Sequence, residues 1–262
     1  MIRKIDNIIL LGTSHVAKQS VKEIKEIIEL YNPSVVGIEL DLNRLKSLLS
    51  EKKELKKKKN NKKNKKVKSI KKRTIKEVGM SGYLFAIVAG YVQQKIGKSL
   101  GIEAGADMKE AYLVARDKKI PTALIDIDIK VTLRKLSRLG FFKKVNMFSS
   151  LFFKSFKKEY RNKLNFDIKS GVPDEKFIKT ALGIFKKEVP LLYNILLEDR
   201  NVYMSNRLLD LRDKNEGYIL AVVGAGHLEG MENYLVKKLK EKDLLNNNGF
   251  NFSFSVNIDS NE

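Results

Sequence analysis

The two histidines of this chain, His15 and His227, stand in matching local frames. ILLGTSHVAK surrounds the first and AVVGAGHLEG the second, so each follows an apolar run, a glycine and two small residues. Cysteine is absent, which removes disulfides, thiolate nucleophiles and sulfur-based zinc sites; a metal here must be held by His, Asp or Glu. Two carboxylates fall at comparable places, Glu39 at the end of VVGIEL and Asp126 in TALIDI. With His15 and His227, Glu39 makes a two-histidine, one-carboxylate set, which suits divalent metals and leaves positions open for water and substrate. Asp126 is then a spare ligand or a base. A bare carboxylate at an apolar strand end is costly, so the competing reading of both acids is an ion pair with a nearby arginine.

The glycine-rich GAGHLEG also follows an apolar run, as a dinucleotide-binding turn would, but Glu229 stands where that fingerprint needs a third small residue. Its charge would face the pyrophosphate, and no phosphate-binding G-x-x-x-x-G-K-[ST] occurs either. Nucleotide binding is set aside.

These residues need a scaffold that brings strand ends together. Asn7–Gly12 reads as a first strand, followed by a helix that Ser20-Val-Lys-Glu23 would cap and that runs to Tyr31. Asn32-Pro33 breaks it, 35–40 is a second buried strand, and Asp41 caps a helix of Leu42, Leu45, Leu48 and Leu49. Further strands are expected at 121–127 and 218–224, helices at 74–100, 105–118, 130–163, 174–188, 190–213 and 228–240, and an edge strand at 250–258. Strands separated by single helices are parallel and covered on both faces, so the fold class is α/β. In an open parallel sheet, ligands bind at the carboxyl ends of the strands, which is where both histidines and both carboxylates fall.

The 262 residues carry 52 Lys or Arg against 31 acidic residues, a formal charge of +21. Residues 51–76 hold 15 basic against 2 acidic residues and 130–163 hold 11 against 1, so the remainder is close to neutral. Specific nucleic-acid binding is therefore not expected. The lysine-rich stretch 52–72 has too few apolar residues to offset the entropy of ordering and reads as a disordered insert. The stretch 130–163 adds Phe141, Phe142, Phe148, Phe152, Phe153 and Phe156, a composition that fits a helix lying on an anionic membrane or an amphipathic pair packed on the core. No signal-peptide pattern opens the chain. Its longest uncharged run, 78–94, is short and polar for a membrane span.

Taken together, IILLGTSHVAKQSV, PSVVGIELDLNRL, QQKIGKSLGIEAGADMKEAYLVARDKKIPTALIDIDIKVTLRKL, LLEDRNVYMSNRL and AVVGAGHLEGM resemble, in order, the motifs of the TraB/PrgY family, related to the Tiki and GumN proteins and to a wider erythromycin-esterase/ChaN-like group. The resemblance implies a metal-dependent hydrolase or peptidase site at His15, Glu39 and His227, with Arg44, Arg134 and Arg200 as anion or transition-state partners. The chain departs from the family pattern at Asp107, where glutamate is usual, and at Asp126-Ile127-Asp128, where Asp-Arg-Asp is usual.

The resulting expectation is one α/β domain over 1–262, with a mostly parallel sheet flanked by helices and a large helical cap insertion over 74–214, which contains the core strand at 121–127. Its activity would be hydrolysis of a peptide or small acyl substrate with a divalent ion such as Mn, Co or Zn. Asp107 or Asp126 would move the proton and Arg200 would steady developing negative charge. The alternative is a non-catalytic, membrane-associated protein that binds or sequesters a peptide. The location expected is cytoplasmic, with contact to an anionic membrane surface, and self-association is left open.

Overall fold

A computed structural model of the chain describes residues 1–13, 17–54, 105–140 and 175–246. Its centre is a five-stranded sheet: β1 (Ile2–Ile5), β2 (Ile8–Thr13), β3 (Val35–Ile38), β4 (Thr122–Leu124) and β5 (Ile219–Gly224). The spatial order is β1-β2-β5-β3-β4. β2, β5, β3 and β4 run parallel, and β1 turns back antiparallel on β2.

Helices cover both faces of the sheet, as the apolar runs require. One face takes α1 (Ala17–Tyr31), α2 (Leu42–Glu54) and α3 (Ala106–Asp117). There Ile9, Leu11, Val36, Ile38, Leu220 and Val222 pack against Ile24, Ile28, Leu45, Met108, Ala111 and Ala115. Alternate residues of the same strands, Ile8, Leu10, Ile219, Ala221 and Val223, point to the other face. They meet Met204 and Leu208 of α7 (Asp199–Arg212) and Leu228, Met231, Leu235 and Leu239 of α8 (Leu228–Asn246). Strand side chains buried on both faces are what a sheet with crossover helices demands.

The remaining described helices are α4 (Ile129–Arg138), α5 (Glu175–Glu188) and the short α6 (Pro190–Tyr193). α6 runs through a π-helical stretch, Asn194–Glu198, directly into α7. No described helix is long and apolar enough to cross a membrane.

Several local readings shift. β1 was not foreseen: Asp6 takes a positive φ of 54°, so a two-residue turn at Asp6-Asn7 folds Ile2–Ile5 back with Ile5 opposite Ile8. α1 starts at Ala17, three residues before Ser20, because Ala, Lys and Gln propagate a helix well and Ser20 falls inside it. Asp41 does cap α2, its Oδ1 accepting from the N–H groups of Asn43 (2.8 Å) and Arg44 (3.0 Å). The strand expected at 121–127 shortens to Thr122–Leu124. The lysine-rich insert 52–72 lies almost wholly outside the described residues; the expected helix at 74–100, the six phenylalanines of 130–163 and the edge strand at 250–258 lie entirely outside them.

Candidate functional site

The strand order explains how residues far apart in sequence meet. β5 lies between β2 and β3, with Thr13 opposite Gly224 and Ile38 opposite Val222. The carboxyl ends of β2, β5, β3 and β4 therefore stand side by side. Each carries one polar group past its apolar run: Thr13, the 225–227 turn, Glu39 and Asp126. His15 lies two residues beyond Thr13 and outside the described residues.

Glu39 is the hub. Its backbone N–H still donates to the Val222 carbonyl (3.1 Å), which fixes the residue at the sheet edge, and it is only 8% exposed. Oε2 accepts from the Gly224 N–H at 2.6 Å. Oε1 meets two groups: Arg200 Nη2 donates to it, and His227 Nε2 lies 3.3 Å away. Burial works against the charged carboxylate, but the charge of and hydrogen bond to His227, the Arg200 guanidinium and the Gly224 N–H outweigh it and hold the Glu39 carboxyl well below the usual carboxylate range.

Arg200 sits in the first turn of α7 and grips a second carboxylate. Its Nε and Nη2 donate to Asp126 Oδ1 (3.0 Å) and Oδ2 (2.8 Å), the two-pronged geometry a guanidinium makes with a carboxylate. Nη1 donates to the Leu196 carbonyl (3.2 Å) within the π-helical stretch. Burial disfavours the Arg200 charge, yet Glu39 and Asp126 more than compensate and raise its pKa above the ordinary arginine value. Asp126 also takes Arg44 Nη1 at 2.9 Å and its neighbour's N–H, Ile127, at 2.8 Å. The competing ion-pair reading of Glu39 and Asp126 therefore describes contacts that are present. It does not displace the histidine contact, because Glu39 makes both.

His227 closes a 3₁₀ turn, Ala225–His227, between β5 and α8. It is buried, and its Nδ1 lies 2.6 Å from Asn201 Oδ1. Asn201 follows Arg200 on α7 and is 1% exposed. Its Nδ2 is buried without a partner, so the amide serves His227 through its oxygen alone. The close approach depends on Gly230: a Cβ there would lie 2.1 Å from Asn201 Nδ2. Sequence reading missed Asn201. The signal was a helical stripe, Asn201, Met204, Ser205 and Leu208, buried at 3- and 4-residue spacing with two polar members where apolar ones are the rule.

Asp107 and Arg134 complete the expected set. Asp107, in the first turn of α3 and 1% exposed, receives the Thr13 hydroxyl at Oδ2 and the Met108 N–H at Oδ1 (2.9 Å). It thereby anchors the end of β2, two residues before His15. Arg134 is exposed on α4. Among the described residues no group of three or more His, Asp or Glu side chains is arranged to hold a metal ion. Of the three expected metal ligands, Glu39 and His227 meet at this edge; Arg200, Asp126 and Arg44 of the wider expected set join them through Glu39 and Asp126.

A sequence model of the TraB/PrgY/gumN family matches residues 2–245. The uncharacterized protein MJ1365 of Methanocaldococcus jannaschii is 34% identical over 241 residues, covering 91% of this chain and 55% of its own length. The TraB domain-containing proteins of Mus musculus and Homo sapiens are 23% and 22% identical, each covering 85% of this chain and 61% of their own length. The chain thus spans a little over half the length of these relatives.

Proposed function

We propose, from the premise that the chain belongs to the TraB/PrgY/gumN family, that it hydrolyses an acyl bond of a peptide or small acyl substrate with a divalent ion held by Glu39 and His227, His15 being the third ligand. The observation that carries this reading is the setting of the His227 ring. It lies between two acceptors, Asn201 Oδ1 at 2.6 Å and Glu39 Oε1 at 3.3 Å. If Nδ1–H is given to Asn201, the Nε2 lone pair faces a carboxylate oxygen, and a proton or a metal cation is needed between them. Two ligands each about 2.0–2.2 Å from one ion stand roughly 3 Å apart, which is the spacing of this pair. The ion supplies Lewis acidity toward an acyl carbonyl and toward water.

The chain's own residues do the rest. Asn201 sets the orientation of the His227 ring, and the Gly224 N–H keeps the Glu39 carboxylate from rotating. Asp126 holds the guanidiniums of Arg44 and Arg200 at the same edge, where Arg200 offers N–H groups to negative charge developing on an acyl oxygen. Asp107 and Thr13 fix the strand end that leads to His15.

A second reading, a non-catalytic protein that binds a peptide at a membrane, draws on the charge balance of the site. Arg200 and Arg44 already neutralise Glu39 and Asp126 without any ion.

Calorimetric titration of chelator-treated protein with Mn, Co and Zn in turn separates the two. The hydrolase reading expects one ion per chain, lost in Glu39→Gln and in His227→Ala. Wild-type protein that takes up none of the three ions contradicts it.

A further inference from the structure

We propose that Arg200 is an internal competitor for the metal site, holding Glu39 Oε1 until a divalent ion displaces it. The inference rests on the ion-site reading above. Oε2 of Glu39 already accepts the Gly224 N–H at 2.6 Å, and Oε1 is the oxygen that faces both Arg200 Nη2 and His227 Nε2, so an ion shared with His227 would meet Arg200 there. Side-chain exposure is only 10% for Glu39, 18% for Arg200 and 6% for His227. Water screens little there, and two cations on one carboxylate oxygen repel strongly.

Arg200 can leave without being stranded. Its paired bonds to Asp126, at 3.0 and 2.8 Å, and its bond to the Leu196 carbonyl, at 3.2 Å, do not involve Glu39. Arg44 secures Asp126 from another side at 2.9 Å, so the carboxylate that would retain Arg200 is itself held in place. The exchange then has a chemical result. Of the five guanidinium hydrogens, one on Nε, two on Nη2 and one on Nη1 are engaged in these contacts. Entry of the ion frees the Nη2 hydrogen that pointed at Glu39, and that hydrogen becomes the donor available to a substrate acyl oxygen.

The test is the Mn affinity of chelator-treated wild type, Arg200→Gln and Arg44→Gln, with circular dichroism confirming the fold of each. Arg44 shares Asp126 with Arg200, so it reports the general effect of deleting a positive charge nearby. Competition for Oε1 predicts at least about tenfold tighter binding in Arg200→Gln and less than about threefold tightening in Arg44→Gln. Binding by Arg200→Gln where wild type shows none is the extreme form of the same result. Equal tightening in both variants, or no tightening in folded Arg200→Gln, overturns the competition while leaving the ion site standing. Absence of binding to every protein overturns both. If Arg200→Gln does not fold, the crystal structure of Mn-soaked wild type decides: Nη2 withdrawn from Glu39 Oε1 with its Asp126 bonds kept supports the proposal, and Nη2 and Mn together on Oε1 refutes it.

Discussion

The two ends of the sheet handle charge in opposite ways. At the amino end, beside the Asp6-Asn7 turn, Arg212 pairs with Asp6 and Lys242 with Asp213, all on side chains 25% to 48% exposed. The turn is closed by backbone-directed bonds: Ile219 N–H to the Asn7 carbonyl at 2.9 Å and Asn7 Nδ2 to the Gly217 carbonyl at 2.9 Å. At the carboxyl end Glu39, Asp126, Asn201 and His227 are all 8% exposed or less. Their bonds interlock, with Arg200 serving two acids and Glu39 serving three partners. Solvent can replace any partner lost at the first end. At the second, removing one group leaves the others buried and unpaired, which is poor economy for a purely structural element and good preorganisation for a site.

Cutting the buried network at its centre gives the largest effect. Arg200→Leu leaves Glu39 without its guanidinium partner and Asp126 with Arg44 alone, and the loss of unfolding free energy in urea should be about 3 to 5 kcal/mol. A loss below about 1 kcal/mol would put this network on a par with the exposed pairs.

Glu39→Gln should cost about 2 kcal/mol or more at pH 7, with a pH signature. Because the folded Glu39 carboxyl lies below its unfolded value, its contribution is fully present above an unfolded pKa of about 4.3 and is lost as pH falls through the folded value. The stability gap between wild type and Glu39→Gln should therefore narrow on acidification below about pH 4.3. A gap that stays constant down to acid unfolding would show that Glu39 is not held ionised by its partners.

Gly230→Ala tests the close approach of α8 to Asn201 without removing a charge. The added Cβ, 2.1 Å from Asn201 Nδ2, must push the amide off His227 at about 1 to 3 kcal/mol. The smallest effect belongs to the amino end, where Asp213→Asn should change stability by about 1 kcal/mol at most and lose even that in high salt. A larger cost there would erase the contrast between the two ends.

Much of the scaffold is legible in the sequence because strand residues buried on two faces leave long apolar runs, such as Ile8–Leu11 and 219–223. β1 escapes because Ile2-Arg-Lys-Ile5 shows no alternation and its pairing depends on Asp6 adopting a positive φ. Glu39, Asp126 and His227 could be found from their place just past strand ends. Asn201 left only the weak mark of a polar residue on an otherwise apolar helical stripe, and the Arg200 bridge left none, since nothing local points to its partners 161 and 74 residues away. The π-helical stretch before Arg200 likewise has no marker in NILLE. Five of the expected site residues, Glu39, Asp126, Arg200, Arg44 and His227, share one interlocked set of contacts.

The central claim, that Glu39 and His227 share one divalent ion, is tested most directly by anomalous diffraction from a crystal soaked in Mn. The account predicts a peak within about 2.5 Å of both Glu39 Oε1 and His227 Nε2. A soaked crystal with no peak at that position, while Arg200 remains on Glu39, would contradict it.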